Sequence, residues 1–246
     1  MDLDRLTDGL HGGEMVVIAA YPSTGKTTLA INMVFHNALK GIPSAVFTAE
    51  MRPVQLVVKA ICSEAKINLY DVRDGKLSES DFGKMTGASA RIAASKIHIE
   101  SIAGQTIGQL IALARRVKQK HDIKLAVVDY LQLLSCPGTD NREQEVSQIS
   151  KGIKQIAMEL DIPVIVLSQL NDDGKLRESR AIGQDADGIW KLSIVGERQS
   201  EAQPIKLVVE KNREGATESV DLMFLKTIQR FESVSKIPDY ERPYAD

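Results

Sequence analysis

The 246-residue sequence has few cysteines, no long uninterrupted hydrophobic run and no excess of basic residues. Its two cysteines, Cys62 and Cys136, lie far apart without metal-ligand spacing, which argues against a zinc-binding module and fits a reducing compartment. Charges or glycines interrupt every apolar stretch before the roughly 20 residues that a membrane-spanning helix requires. The formal net charge of −2 argues against a protein that grips nucleic acid along its whole surface, so any such site must be local.

The composition that is present is that of a folded globular protein, with 43% hydrophobic and 26% charged residues. This length can bury one large core, and no linker or repeat divides it, so residues 1–246 are predicted to form a single domain. Residues 238–246 carry two prolines and several charges and are predicted to form a flexible tail. The N-terminus lacks the pattern of a signal peptide, and we therefore expect a cytoplasmic protein without a membrane partner.

Apolar runs of strand length alternate with longer segments of helical period, which predicts an α/β fold with a mostly parallel central sheet. The predicted strands occupy residues 15–20, 44–48, 125–134 and 163–167. The predicted helices occupy residues 27–39, a segment from Pro53, 78–95, 106–120 and 143–160. After Ala186 three short apolar runs, at 189–195, 204–210 and 219–224, follow one another without helices, so we expect an antiparallel extension of the sheet near the C-terminus.

Residues 20–28 lie between the first predicted strand and its helix, where a phosphate-binding loop belongs. Backbone N–H groups at the start of the helix would face phosphates, Lys26 would reach the β- and γ-phosphates, and the Thr27 hydroxyl would ligate Mg²⁺. The usual pattern begins with glycine where this chain has Ala20, but Gly-Lys-Thr opening a helix after a buried strand is far more specific than the tripeptide alone. We therefore predict that ATP and Mg²⁺ bind here. The nucleotide-binding residues are predicted to be Pro22, Ser23, Thr24, Gly25, Lys26, Thr27 and Thr28.

Two carboxylates follow buried strands at the same predicted edge of the sheet. Asp129 could hold Mg²⁺ beside the phosphate-binding loop; an Asp after a strand is more often a turn or cap, and the neighbouring loop makes it a metal-site candidate. Glu50 could orient and deprotonate the attacking water, because γ-phosphoryl transfer needs a positioned nucleophile and little covalent help. From the residue pattern alone, a surface or capping role for Glu50 is an equal alternative.

Several segments in the same order along nearly the whole chain resemble the DnaB-type replicative helicase family. They are residues 3–9 with Gly13, the phosphate-binding loop, Ala49-Glu50-Met51, Asp129-Tyr130-Leu131-Gln132-Leu133, Ser168-Gln169-Leu170-Asn171, Leu176-Arg177-Glu178-Ser179, Gln184-Asp185-Ala186-Asp187 and Lys211-Asn212-Arg213. The resemblance is to the C-terminal motor domain and implies a RecA-like P-loop NTPase fold, ATP hydrolysis, and DNA unwinding during replication. We expect no counterpart of the family's N-terminal domain and linker helix in this chain.

The resemblance also implies roles for individual residues. Glu50 would be the catalytic glutamate, and Gln169 would sense the γ-phosphate and link it to the DNA loops. Lys211 and Arg213 would reach the ATP site of the neighbouring subunit in a hexameric ring, with Arg213 as an arginine finger. The family further implies single-stranded DNA as a partner, and a helicase loader or primase.

The loops facing the ring's pore would be residues 136–144 and 171–182. The DNA-binding candidates in them are Arg142, Lys175, Arg177 and Arg180. For each of these residues a solvated loop charge is the alternative.

Departures from the family pattern concentrate near these DNA-proximal segments, where Asp172 replaces a usual basic residue and Arg180 stands where glycine is common. Two other functions share the fold and the P-loop. One is a RecA-type recombination or repair ATPase, and the other is a stand-alone ATPase module that regulates or loads a helicase. The segments beginning at Asp129 and Arg177 favour the helicase over the recombinase.

Overall fold

A computed structural model describes residues 2–129, 134–138, 141–174, 176, 180–199, 201–213 and 215–234, with only the backbone for residues 2 and 180. Its strands are β1 (Met15–Ala20), β2 (Ser44–Thr48), β3 (Ile97–Ser101), β4 (Leu125–Asp129), β5 (Val164–Gln169), β6 (Gly188–Ile194), β7 (Ala202–Asn212), β8 (Ser219–Leu225) and β9 (Arg230–Ser233). Its helices are α1 (Asp2–Thr7), α2 (Lys26–Leu39), α3 (Pro53–Ala65), α4 (Leu69–Asp74), α5 (Glu79–Ala94), α6 (Ile107–His121), α7 (Arg142–Leu160) and α8 (Arg180–Asp185). Met1 and the predicted tail at 238–246 lie outside the described residues.

Within these ranges the strands form one sheet in the order β3-β2-β4-β5-β1-β6-β7-β8-β9. The pairs from β3 to β6 are parallel, and the pairs from β6 to β9 are antiparallel. This arrangement confirms the predicted fold class, a mostly parallel sheet with an antiparallel C-terminal extension. None of the described helices is long and apolar enough to cross a membrane.

Helices cover both faces of the parallel strands, which explains why β1, β2 and β4 are buried at every position. On one face the core includes Leu110 of α6 and Ile149 of α7. On the other face it includes Ile31 of α2 and Leu56 of α3. Continuous apolar runs are the sequence form of strands buried in this way.

The chain crosses to opposite sides of β1, because β2 lies on one side of it and β6 on the other. Parallel sheets bind ligands at the carboxyl ends of strands around such a point. The register brings these ends together: Ala20 pairs with Gln169, and Thr48 pairs with Asp129. The ends of β1, β2, β4 and β5 therefore form one edge, which we call the phosphate edge.

Two sequence expectations about element ends are wrong. The strand predicted at 125–134 ends at Asp129. The apolar sequence extends past this end to Leu134, which is buried in the core but does not belong to a strand. Residues 130–133 lie outside the described residues. The predicted loop at 136–144 is helical from Arg142, because the Asn141 side chain accepts a hydrogen bond from Gln144 N and starts α7 one residue before the predicted helix at 143–160.

Candidate nucleotide site

The phosphate-binding loop joins β1 to α2 at the phosphate edge, as the sequence predicts. Gly25 ends the loop with a φ of 103°, in the left-handed region that side chains disfavour. A Cβ placed on Gly25 would lie 2.9 Å from ring atoms of both Phe224 and Phe231. These rings stack with centroids 4.5 Å apart, so the loop rests on an aromatic pair from β8 and β9. Only glycine fits this position without displacing the loop or the rings.

The amino end of α2 directly follows this loop, and in the described structure its first backbone N–H groups are not capped by a side chain. The first turn of the helix carries no acidic residue. The orphan N–H groups and the helix dipole of a 14-residue helix favour an anion at that end. The loop and the helix start together are suited to hold phosphate groups.

Lys26 and Asp129 are the charged groups buried most deeply at the phosphate edge, with 9% and 1% of their surfaces exposed. Burial lowers the pKa of Lys26, and the carboxylates of Asp129 and then Glu50 oppose this change. Burial raises the pKa of Asp129 to about 6; Lys26 lowers it, Glu50 adds to the rise, and Lys59 lowers it slightly. The Thr27 hydroxyl lies near the Asp129 carboxylate and lowers its pKa, although the two groups form no hydrogen bond.

A divalent cation fits these residues. Within the described residues, neither carboxylate oxygen of Asp129 accepts a hydrogen bond, although both are buried. A buried carboxylate without a partner is costly, and a bound cation would remove that cost. Mg²⁺ prefers hard oxygen ligands and takes few from protein when phosphates supply the others. Thr27 and Asp129 can supply such ligands.

Glu50 is held beside Asp129 by the backbone around it. Ala49 N donates to Asp129 O at 2.6 Å, which attaches the residue before Glu50 to the end of β4. The Thr48 hydroxyl donates to Met51 O at 2.8 Å and accepts from Met51 N, closing a turn around Glu50. Glu50 is exposed at the phosphate edge, and its charge acts on both Lys26 and Asp129. Gln169 ends β5 at the same edge, opposite Ala20.

Lys211 and Arg213 lie at the other edge of the sheet. Asn212 pairs with Gly188 at the start of β6, and Asp187 accepts a hydrogen bond from Met15 N at the start of β1. The six residues of β1 separate this edge from the phosphate-binding loop by about 17 Å, at roughly 3.3 Å per residue. Neither side chain can therefore reach the phosphate-binding loop of the same chain.

Both side chains have partners within the same chain. The Arg213 guanidinium pairs with the Asp187 carboxylate at 2.7 Å and remains 56% exposed. The Lys211 ammonium donates to the carbonyls of Gly183 and Ala186 at the carboxyl end of α8. Burial and the nearby Arg213 lower the pKa of Lys211.

Asp187 links several elements near Lys211 and Arg213, and the sequence indicates it only as part of the family segment 184–187. Its carboxylate accepts from Met15 N at 2.8 Å and pairs with Lys154 at 2.6 Å and with Arg213. It therefore joins β1, α7 and the end of β7. No local sequence signal indicates this, because the partners are far apart along the chain.

The predicted DNA-binding residues are only partly described. Arg142 lies in the first turn of α7 and pairs with Glu145 at 2.6 Å. Lys175 and Arg177 lie outside the described residues, as does the Arg180 side chain. The backbone of Arg180 begins α8, so the predicted loop at 171–182 is helical at its end.

We expect Asp129→Asn to stabilise the protein at neutral pH when nucleotide and Mg²⁺ are absent. The folded-state pKa of about 6 lies above the ordinary value of 3.8, so the folded state binds the proton more tightly and stability falls as pH rises through this interval. Removing the charge should raise the free energy of unfolding at pH 8 by about 3 kcal/mol, and the gain should fall below about 1 kcal/mol near pH 4.

Urea denaturation from pH 4 to 8 measures this difference. Asp221→Asn, which removes an exposed carboxylate on β8, is the matched control and should show no such gain. The prediction is contradicted if Asp129→Asn lowers stability equally across the pH range.

Comparison with known proteins agrees with this geometry. The family model described as DnaB-like helicase C terminal domain matches residues 1–233. The replicative DNA helicase DnaC of Bacillus subtilis is 36% identical over 252 residues, which cover 96% of this chain and 56% of that protein. The chain thus spans a little over half the length of this relative.

Two solved structures share the fold closely. A DnaB-like replicative helicase, whose structure was described with its interactions with primase, has a TM-score of 0.86 at 30% identity over 94% of this chain and 59% of its own. A second structure, of a separate ATPase domain, has a TM-score of 0.86 at 29% identity over 95% of this chain and 89% of its own. The family model matches nearly the entire length, and the chain therefore belongs to the DnaB-like helicase C-terminal domain family.

Proposed function

We propose that this chain is the ATPase motor of a ring-forming replicative DNA helicase, and that it acts in the cytoplasm. The observation that carries the proposal is the division of the site between two edges of the sheet. The phosphate-binding loop follows the end of β1, whereas Lys211 and Arg213 lie beside its start. A complete ATP site then needs two subunits, and a ring of identical head-to-tail interfaces supplies one site at every contact.

In the proposed reaction, water attacks the γ-phosphate of ATP to give ADP and phosphate. The loop amides and Lys26 would bind the phosphates, and Thr27 and Asp129 would hold Mg²⁺, which would supply positive charge to offset the negative charge of the phosphates. Glu50 orients the water and accepts its proton, while Gln169 senses the γ-phosphate. Lys211 and Arg213 of the neighbouring subunit stabilise charge that develops during transfer.

DNA is proposed to bind in the pore of this ring, where Arg142, Lys175, Arg177 and Arg180 would contact phosphates. Six copies concentrate these charges, which reconciles a near-neutral chain with a polyanionic partner. Hydrolysis at an interface would move one subunit against the next and carry its loops along the strand. A helicase loader or primase is proposed as a further partner, by analogy with the related helicase studied with primase.

Binding to fluorescent single-stranded DNA at several salt concentrations, with a non-hydrolysable ATP analogue, tests the DNA assignment. We expect affinity to fall as salt rises, to ignore sequence and to exceed that for duplex DNA. Arg177→Ala should lower the salt slope by roughly 0.7 per lost single-strand phosphate contact, whereas Arg73→Ala, on exposed α4, should not. Equal affinity for duplex DNA with no change in Arg177→Ala would remove the pore assignment.

A further inference from the structure

A second lysine lies near the acidic residues of the phosphate edge. Lys59 is half-buried in α3, on the same stripe as the buried residues Leu56 and Ser63, three positions before and four after it. Side chains on a helix tilt toward its amino end, so that of Lys59 extends back toward the start of α3. That start follows directly after the turn that holds Glu50.

The electrostatic surroundings of Lys59 match those of Lys26. Burial lowers the pKa of Lys59, and the carboxylates of Asp129 and then Glu50 oppose the change. Burial and the same two carboxylates, in the same order, act on Lys26. Two lysines, from α2 and α3, are thus within electrostatic range of two carboxylates, Asp129 at the end of β4 and Glu50 in the turn after β2. In the described structure Lys59 forms no hydrogen bond or ion pair, so its ammonium is available to a group at this edge.

The chemistry of the proposed site divides these charges between separate tasks. Lys26 begins the helix that faces the phosphates, and Asp129 is a buried carboxylate suited to Mg²⁺. Glu50 is then the group available to act on water, and the negative charge of a bound polyphosphate would repel its carboxylate. A cation that contacts Glu50 from the side of α3 would offset that repulsion and limit the directions in which the carboxylate can turn.

We propose that Lys59 is a positioning residue for Glu50, whose ammonium holds the carboxylate toward the attacking water. This proposal rests on the proposed ATPase function. It assigns Lys59 no contact with the nucleotide, so ground-state binding should not depend on its charge. The alternative is that Lys59 only covers apolar surface of α3 with its aliphatic stem, as buried lysines often do.

Lys59→Met tests the proposal, because methionine keeps much of the stem and removes the charge. Turnover should fall about 10- to 100-fold, while affinity for ADP and for ADP with beryllium fluoride stays within about twofold. Affinity for ADP with aluminium fluoride, which mimics the transition state with the attacking water in place, should fall with turnover. Lys59→Arg should restore most of both losses. Lys40→Met, which removes an exposed lysine at the far end of α2, should match the unaltered protein.

The double variant Lys59→Met with Glu50→Gln separates positioning from a merely structural role. If Lys59 acts through Glu50, its removal should not further weaken the aluminium fluoride complex of the Glu50→Gln protein. Equal weakening of all nucleotide complexes, or no recovery in Lys59→Arg, would overturn the proposal. Normal turnover in Lys59→Met while Glu50→Gln is inactive would overturn this inference alone. Full activity of Glu50→Gln would instead remove Glu50 from the proposed function.

Discussion

Glu50→Gln is expected to bind ATP and Mg²⁺ as the unaltered protein does and to hydrolyse ATP at least about 100-fold more slowly, because a positioned base contributes 10² or more to such reactions. Glutamine fills the same space in the turn closed by Thr48 and Met51, so the loop and the metal ligands should be undisturbed. A fluorescent ATP analogue measures binding, and phosphate release measures turnover.

Two further variants show whether the loss is specific. Lys26→Ala should abolish nucleotide binding itself, because it removes the buried positive charge at the first residue of α2. Glu79→Gln removes an exposed carboxylate in the first turn of α5 and should leave binding and turnover unchanged. Unaltered hydrolysis in Glu50→Gln would contradict the catalytic role and favour the alternative, a surface or capping role for Glu50.

Mixing two inactive proteins, Lys26→Ala and Arg213→Ala, is expected to recover ATP hydrolysis. The first has a dead site and an intact Arg213, and the second has an intact site without Arg213. Arg213 lies a full strand length from the phosphate-binding loop of its own chain, so an action on ATP would have to be on the nucleotide of a neighbouring subunit. Loss of an arginine finger costs about 10³ or more in turnover, so either protein alone should be nearly silent.

The expected amplitude follows from random mixing in a ring of head-to-tail interfaces. At equal amounts, about a quarter of the interfaces pair a good site with a good finger, so about a quarter of the normal rate should return. Hydrolysis without DNA is the proper measurement, because strict coordination around DNA could silence a mixed ring. Subunit exchange should be confirmed with two fluorescent labels. No recovery at any ratio despite exchange would refute the action of Arg213 on the neighbouring site.

The sequence predicts best those elements whose burial leaves a continuous pattern. β1 and β4 are buried on both faces and read as apolar runs, and the glycine, lysine and threonine of the P-loop follow at fixed spacing. β3 and β9 were not predicted, because both strands are short and only half-buried; the apolar-polar alternation of β3 spans just four residues, from Ile97 to Glu100. The short helix α4 buries no residue and so leaves no hydrophobic period.

Among the residues of the candidate site, those next to a strand end have a recognisable sequence pattern, and those defined by distant contacts do not. Asp129 and Glu50 follow apolar runs, whereas Lys59 has the appearance of an ordinary polar helix position. The links of Asp187 depend on Met15, 172 residues away, and on Lys154 and Arg213. Such partners become visible only when the sheet order is known.

The aromatic support of the phosphate-binding loop bears on the order in which the protein can be completed during synthesis. Phe224 and Phe231, against which Gly25 packs, are made about 200 residues after the loop. Asn32 in α2 likewise accepts its hydrogen bond from Phe231 N, 199 residues later. A nascent chain that already contains every nucleotide-binding residue therefore still lacks the surface on which the loop rests, and the loop can reach its final packing only after β9 has left the ribosome.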